Sequence, residues 1–341
     1  MKKVLILKND RTGDLFVSLK AINRIITKYK NNKLIIFLSE TNHKFSFLFP
    51  SISKKIFPMD LGAVHKIKIF FYFLTNKIDS VFILTPKNFY YYLPFIFRKI
   101  KFYAITIKSK KSRPNNFFLK YLHKYVVIDR LNLTKRNSSY NVQKNLIMLN
   151  VGDEDKNNLQ TNYYLNHKFI YPRNYIFFHY KHNLFNSLLE WDLDKIVKLI
   201  NFLVKQKNNY VLFSSELDNK TINNFFENKF NTFDYKNNKK NFTNKEKIIF
   251  LKDIDGYNLF DVVKKSSKVI CPEGIISHMS FFLNKPLLSL IHFRLKNKQA
   301  FRDQLISCKE WFPPNNYNYC VLKKDFLKSI NKISYRINSF K

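Results

Sequence analysis

Acidic residues are scarce in this chain of 341 residues, and their scarcity excludes an acidic, solvating protein. Lys and Arg total 60 against 24 Asp and Glu, which gives a formal net charge of +36. Such a charge favours anionic partners, namely nucleotides, phosphorylated glycans, anionic lipid or nucleic acid. The chain is also crowded with Lys, Asn, Ile, Phe and Tyr. AT-rich coding bias produces that composition, so part of the charge has an explanation without a partner.

Cysteines and long apolar runs are also few. Cys271, Cys308 and Cys320 match no metal-binding spacing and cannot form a disulfide framework, so we expect a reducing compartment. The longest apolar stretches, 67–74 and 89–97, are about half of the ~18 residues that a membrane span needs. The first apolar run is too short for a signal peptide. We therefore expect a cytoplasmic protein that touches a membrane surface at most.

Short apolar runs alternate with segments of helical periodicity along most of the chain. This pattern predicts an α/β fold with parallel sheets covered by helices on both faces. Predicted strands are 4–7, 34–38, 80–84, 175–179, 210–214, 248–251, 268–271 and 287–291. Predicted helices include 15–29, 89–98, 139–149, 196–204 and 259–263, and the Lys/Asn-rich stretch 236–247 is predicted as a loop.

The polar stretch 152–166 is predicted to link two halves. We expect an N-terminal Rossmann-like domain over residues 1–160 and a C-terminal one over 161–341. The last helix, about 325–336, is expected to pack back on the N-terminal domain. Two such halves predict a cleft between domains, where ligands usually bind.

Glycine is the most informative rare residue, because the chain has only five. Gly13 and Gly274 each lie between a predicted strand and a predicted helix. Free backbone N–H groups and the helix dipole hold phosphates at such helix N-termini. The alternative is that both glycines only permit tight turns.

Polar residues beside these glycines are the candidates for chemistry. Asp14 is either an acid that favours the dipole of its helix or a general base at the mouth of a cleft. Glu273 is placed to accept hydrogen bonds from a ribose. Ser277 and His278 open the following helix and are placed to hold a diphosphate, although an ordinary capped helix explains them as well.

Two segments resemble the signatures of glycosyltransferase family 9, the family of the lipopolysaccharide heptosyltransferases. The first is Arg11-Thr-Gly-Asp14-Leu-Phe-Val-Ser-Leu after the opening strand. The second is Pro272-Glu-Gly-Ile-Ile-Ser-His278, followed by a helix and a Lys-Pro turn. The order of the intermediate elements, including Trp191 and its following helix, also resembles that family.

The chain departs from the family pattern at four positions. Lys20 stands where the family has proline, Ile275 where it has glycine, and Glu273 where it has aspartate. Leu189 stands where a lysine often precedes the tryptophan, and Lys181 or His182 is a candidate source of that positive charge. These departures bear on the donor sugar more than on the fold.

The resemblance implies the GT-B architecture, in which the C-terminal domain binds a nucleotide-diphosphate sugar and the N-terminal domain binds the acceptor. It implies inverting transfer without a metal ion or other cofactor, with Asp14 as the catalytic base and an ADP-sugar as the favoured donor. It also implies a phosphorylated glycolipid acceptor such as lipopolysaccharide core. The expected donor-binding residues are Gly13, His179, Lys181, Glu273, Gly274, Ser277 and His278.

Two other functions stay open from the sequence. One is a degenerate relative that binds a nucleotide sugar without transferring it. The other is a nucleic-acid-binding protein, to which the basic, aromatic-rich segment 98–113 points, although no DNA- or RNA-reading motif is present. The same segment suits an anionic membrane surface, or is a solvated edge of the fold. Asp153 and Asp155 are expected on the linker surface rather than as metal ligands.

Overall fold

A computed structural model describes residues 2–108, 115–129, 170–206, 210–216, 219–241, 247–292 and 317–338. The described residues form two compact units, one up to Asp129 and one from Ile170 onward. The predicted helix 139–149 and linker 152–166, together with Cys308, lie outside the described residues. No helix within the described ranges is long and apolar enough to cross a membrane.

The first unit is a six-stranded sheet in which every neighbouring pair is parallel. Its strands and helices are β1 Lys3–Lys8, α1 Thr12–Lys28, β2 Lys33–Leu38, α2 Glu40–His43, β3 Ser53–Ile56, α3 Ala63–Thr75, β4 Ile78–Ile83, α4 Asn88–Ile96, β5 Lys101–Lys108, α5 Asn116–Leu119 and β6 Lys124–Asp129. The strand order is β3-β2-β1-β4-β5-β6. The order reverses between β1 and β4, and ligands bind outside the carboxyl ends of strands at such a switch point.

The apolar content of the central strands explains their position. Val4, Leu5, Ile6 and Leu7 of β1 are all fully buried, as expected for a strand covered by helices on both faces. Helix α1 is buried over the whole run Leu15–Leu19 and then at Ala21, Ile22 and Ile25.

The second unit contains an eight-stranded sheet of order β10-β9-β11-β8-β7-β12-β13-β14. Its elements are β7 Tyr175–His179, a π-helical turn Asn183–Leu188, α6 Leu193–Lys205, β8 Tyr210–Ser214, α7 Lys220–Lys229, β9 Asn231–Asp234, β10 Lys239–Asn241, β11 Ile248–Lys252, α8 Gly256–Lys265, β12 Lys268–Pro272, α9 Ile275–Phe282, β13 Leu287–Ile291, β14 Tyr317–Val321 and α10 Phe326–Asn338. All neighbouring strands are parallel except β10 and β9. This sheet has its switch point between β7 and β12. The predicted α/β class with parallel sheets is thus confirmed.

One local prediction differs from the structure. The stretch 236–247 contains a short edge strand, β10, which pairs with β9 although its residues are Lys and Asn. An edge strand needs backbone pairing on one side only, so apolar periodicity does not reveal it. The last helix, α10, buries Ile330, Ile333 and Ile337 in the core of the second unit.

Candidate functional site

Asp14 lies in the first turn of α1, immediately beyond the carboxyl end of β1. Its side chain is partly exposed, and its backbone oxygen accepts a hydrogen bond from Ser18 Oγ at 2.7 Å. Gly13 precedes it in the same turn. Among the described glycines only Gly274 has a positive φ, so the backbone at position 13 does not require glycine. The structure therefore places an accessible carboxylate at the switch point of the first sheet.

A buried polar cluster adjoins Asp14, and the sequence patterns did not single it out. Lys8 Nζ lies 2.6 Å from Asp10 Oδ2 and 3.3 Å from the oxygen of Leu84, at the end of β4. The Lys8 side chain is 1% exposed. Asn42 donates to the backbone oxygen of Lys8 at 3.0 Å. The only sequence signal was the run of polar residues 8–12 directly after the apolar run 4–7.

Burial and two neighbouring charges shift the pKa of the Asp10 carboxyl group. Burial raises its pKa above 3.8, the charge of Lys8 opposes that shift, and the nearby Asp14 raises it further. Ser39 Oγ donates to the backbone oxygen of Asp10 at 2.7 Å, which fixes the loop between β1 and α1 against β2. Asp10 and Lys8 thus hold the loop that leads from β1 to the helix turn that carries Asp14.

Most of the expected donor-binding residues meet at the switch point of the second sheet. His179 ends β7, and Lys181 follows two residues later. Glu273 and Gly274 directly follow β12, which is the parallel neighbour of β7. The structure therefore brings the β7 residues and the β12 residues to one edge of one sheet. Gly13 is in the first unit and is not part of this group.

The backbone at Gly274 has a conformation that residues other than glycine rarely adopt. Its φ and ψ are 155° and −156°, and a Cβ placed there meets nothing within 4 Å. Open space therefore lies next to the N-terminus of α9. The hydroxyl of Ser277 donates to the Gly274 oxygen at 2.6 Å and accepts from the Gly274 N–H at 3.2 Å. Ser277 thus caps the N-terminus of α9, and its hydroxyl hydrogen is already donated to the Gly274 oxygen.

Both histidines of this edge are neutral at physiological pH. Burial lowers the pKa of His179 to about 4, and the positive charge of Lys181 contributes to that shift. Burial alone lowers the pKa of His278 to about 4. His179 Nδ1 lies 2.9 Å from Ser214 Oγ on the neighbouring strand β8. These side chains offer hydrogen bonds but no positive charge.

Lys181 is a cation placed beside the ends of both strands. Its charge acts on His179 of β7 and also opposes the rise in the pKa of the Cys271 thiol on β12, which burial causes. Leu189 is fully buried in the core of the unit and supplies no charge. The nearby Trp191 is also buried, and its Nε1 donates to the oxygen of Lys324 at 3.0 Å. Trp191 therefore anchors the segment after Lys181 to the base of α10.

Glu273 is partly exposed next to Gly274, at the same edge. Across the parts of the chain that the structure describes, no group of three or more His, Cys, Asp or Glu side chains is arranged to hold a metal ion. The edge between β7 and β12 therefore combines a helix N-terminus, a lysine, a glutamate and two neutral histidines. This set suits an anion that carries hydroxyl groups, such as a nucleotide diphosphate.

Comparison with solved structures identifies similar folds over nearly the whole chain. The E. coli heptosyltransferase WaaC with ADP-2-deoxy-2-fluoro heptose is 12% identical, with a TM-score of 0.64 over 99% of this chain and 100% of that one. The glycosyl transferase family 9 structure from Veillonella parvula is 14% identical, with a TM-score of 0.58 over 97% and 89%. The UDP-GlcNAc 2-epimerase from Methanocaldococcus jannaschii is 14% identical, with a TM-score of 0.53 over 100% and 94%.

Neither a protein-family model nor a curated protein sequence matches this chain. The similarity is therefore one of fold, at low sequence identity. It confirms the expected GT-B type of fold, with two Rossmann-like α/β units, which the heptosyltransferases share with the epimerases.

Proposed function

We propose that this chain is a glycosyltransferase related to family 9 that transfers a sugar from a nucleotide-diphosphate donor to a hydroxyl of a surface glycan. The observation that carries the proposal is the edge between β7 and β12. There the open N-terminus of α9 at Gly274 lies on the same edge as Lys181, in the unit expected to bind the donor. The similarity of the fold to heptosyltransferase structures supports the same choice.

The proposed donor is an ADP-sugar of the heptose type. In this proposal the diphosphate lies at the backbone N–H groups of α9, and Lys181 pairs with its charge. Glu273 accepts hydrogen bonds from the ribose hydroxyls, and His179 and His278 donate as neutral imidazoles. Support for adenine comes from the WaaC structure, which was solved with ADP-2-deoxy-2-fluoro heptose.

The proposed reaction inverts the anomeric carbon without a metal ion. Asp14 removes the proton from the acceptor hydroxyl while that oxygen forms a bond to the anomeric carbon. The bond between the anomeric carbon and the diphosphate oxygen breaks at the same time. The negative charge that develops on the diphosphate is stabilised by the α9 N-terminus and Lys181. Lys8 and Asp10 hold the loop that positions Asp14.

The proposed acceptor is a phosphorylated glycolipid such as lipopolysaccharide core, bound by the first unit. The net charge of +36 supports an anionic acceptor. We propose that the protein acts in the cytoplasm at the inner face of the membrane. We do not expect it to bind nucleic acid specifically.

The alternative is a protein that binds a nucleotide sugar without transferring it. Leu189 and Ile275 favour this alternative, because Leu189 is buried where the family often has a lysine and Ile275 stands where it has a glycine. Slow release of free sugar from the donor distinguishes the two, since a binding protein leaves the donor intact.

A thermal-shift screen against ADP, GDP and UDP and their sugars tests the proposed donor. A ligand at 100 times its dissociation constant adds about 2.7 kcal/mol to the free energy of unfolding. We expect stabilisation by ADP and ADP-sugars, with weaker effects of GDP and UDP. Stabilisation by UDP-GlcNAc alone would instead favour a function like that of the epimerases. The absence of any stabilisation would contradict the proposed donor site.

A further inference from the structure

Helix α3 has two apolar faces, and one of them faces solvent. Ile69 and Phe73 are buried against the sheet of the first unit. Four further apolar residues of the helix are 55–61% exposed, and they are Val64, Ile67, Phe71 and Leu74. Spacings of three and four residues place these four on one side of the helix. A helix on the surface of a globular domain normally has polar residues on its solvent-facing side, so this exposed apolar stripe of four residues is unusual.

The exposed stripe continues onto α4 and α5. The Phe70 ring of α3 lies 5.5 Å from the ring of Phe97, which directly follows α4. The Phe95 ring of α4 lies 5.7 Å from that of Phe117 on α5. We define the apolar surface as the eight exposed side chains of these helices: Val64, Ile67, Phe71, Leu74, Tyr92, Phe95, Ile96 and Phe117. Contiguous apolar surfaces of this kind mark interaction sites, whereas single exposed apolar residues do not.

Positive charge surrounds the apolar surface. The described residues between positions 61 and 128 include 10 Lys and Arg and a single acid, Asp79, which lies 3.4 Å from Lys2. The Arg98 guanidinium lies over the Phe95 ring at 5.4 Å, and Lys120 Nζ lies over the Phe117 ring at 4.4 Å. Lys66 and Lys68 are exposed on α3 itself. The surface therefore combines apolar side chains with cations at their edges.

This combination selects one kind of partner. A second copy of the chain would bring two strongly positive surfaces together, and nucleic acid offers phosphates but little for eight apolar side chains. An anionic lipid bilayer offers negative headgroups above an apolar interior. Helix α3 has 13 residues, a length of about 20 Å, which is shorter than the ~30 Å hydrocarbon core. It therefore suits a position in the plane of the bilayer interface.

We propose that the apolar surface of α3, α4 and α5 docks the first unit on an anionic lipid bilayer. The aromatic and aliphatic side chains enter the boundary between headgroups and acyl chains, and the surrounding Lys and Arg pair with anionic headgroups. This inference deepens the membrane placement in the proposed function, but it does not depend on sugar transfer.

Vesicle flotation tests the docking. The full chain is mixed with vesicles of phosphatidylcholine alone or with a quarter phosphatidylglycerol. We expect binding to the anionic vesicles and at least tenfold weaker binding to the neutral ones.

The double variant Ile67→Ser, Phe71→Ser should bind anionic vesicles at least tenfold more weakly than the unaltered chain does. The control is Leu327→Ser, Tyr335→Ser, because these residues are also exposed, at 73% and 72%, but lie on α10 of the second unit. The control should bind like the unaltered chain.

Melting temperature and ADP binding are measured for every variant, so that loss of fold and failure of the donor proposal are separated from loss of docking. The proposal is overturned if the unaltered chain does not float with anionic vesicles. It is equally overturned if the α3 variant floats like the unaltered chain, since charge alone then explains binding. A dimer in light scattering that only the α3 variant loses, with flotation unchanged, would assign the surface to a second copy instead.

Discussion

Lys8 and Asp10 form a largely buried ion pair, with 2.6 Å between Nζ and Oδ2, and the charge of Asp14 acts on the same Asp10 carboxyl group. The pair joins the end of β1 to the end of β4, because Lys8 also donates to the oxygen of Leu84. It therefore fixes the loop of the candidate catalytic residue to both strands of the switch point.

Breaking this pair should destabilise the first unit. Lys8→Met leaves the Asp10 carboxyl group buried without its partner, and we expect a loss of about 3 kcal/mol in the free energy of unfolding. The double variant Lys8→Met, Asp10→Asn should recover part of the loss, because no charge remains unpaired. Urea denaturation of the two variants and of the single Asp10→Asn variant measures the coupling. Equal stability of Lys8→Met and the unaltered chain would show that the pair does not hold the loop.

Gly274→Ala should strain the start of α9. The φ of 155° costs a non-glycine residue about 1–3 kcal/mol, although the added methyl group has open space. We expect lower stability and at least tenfold weaker ADP binding, because the helix N-terminus shifts. Gly62→Ala is the matched control, since Gly62 is also the N-cap of a helix but has a φ of −67°. A loss of stability and affinity that is equal in both variants would contradict the role of the Gly274 backbone.

Lys181→Ala should weaken donor binding without unfolding the protein. A charge-assisted hydrogen bond to a diphosphate is worth about 1.5–3 kcal/mol, so we expect affinity for ADP to fall at least tenfold. Lys198→Ala is the control, because Lys198 is exposed on α6 of the same unit. Calorimetric titration with ADP compares the two. Unchanged affinity in Lys181→Ala would remove this residue from the donor site.

Acid should destabilise the second unit through its neutral histidines. Burial lowers the pKa of His278 to about 4. The unfolded chain therefore binds a proton at this side chain below pH 6.5, whereas the folded chain binds it only near pH 4. The free energy of unfolding therefore falls as pH falls through this window, by about 3 kcal/mol for this group at pH 4. His278→Gln should reduce that slope, whereas exposed His43→Gln should not. Denaturation at pH 6.5 and 5 measures both slopes, and equal slopes would contradict the prediction.

The α/β class and the parallel sheets could be predicted because the central strands are short, apolar and bounded by polar residues. Val4–Leu7 and the helix after it illustrate this, since burial on both faces leaves a continuous apolar run. Strand β10 could not be predicted, because an edge strand made of Lys and Asn carries no periodic apolar signal. The position of α10 depends on which core receives its apolar face, and the periodicity of a helix does not encode its partner.

The candidate site was predictable where it rests on local geometry. Glycine is so rare in this chain that Gly274 stood out, and the structure gives it the positive φ that glycine permits. The same argument was wrong for the backbone of Gly13, which lies in an ordinary helical turn. The Lys8–Asp10 pair could not be predicted, because its burial and its link to Leu84 depend on contacts 76 residues apart in the chain. The exposure of one apolar face of α3 likewise depends on tertiary packing.

Transfer of labelled sugar from an ADP-sugar into lipid extracted from cells that lack this protein tests the central claim most directly. The unaltered chain should label the lipid. Asp14→Asn should transfer at least 100-fold more slowly, since general base catalysis contributes about 10²–10⁴-fold, while it binds ADP with the same affinity. Asp194→Asn, which alters the first-turn acid of α6, should transfer at the normal rate. Transfer by Asp14→Asn at the normal rate, or donor binding by the unaltered chain without any transfer, would contradict the account.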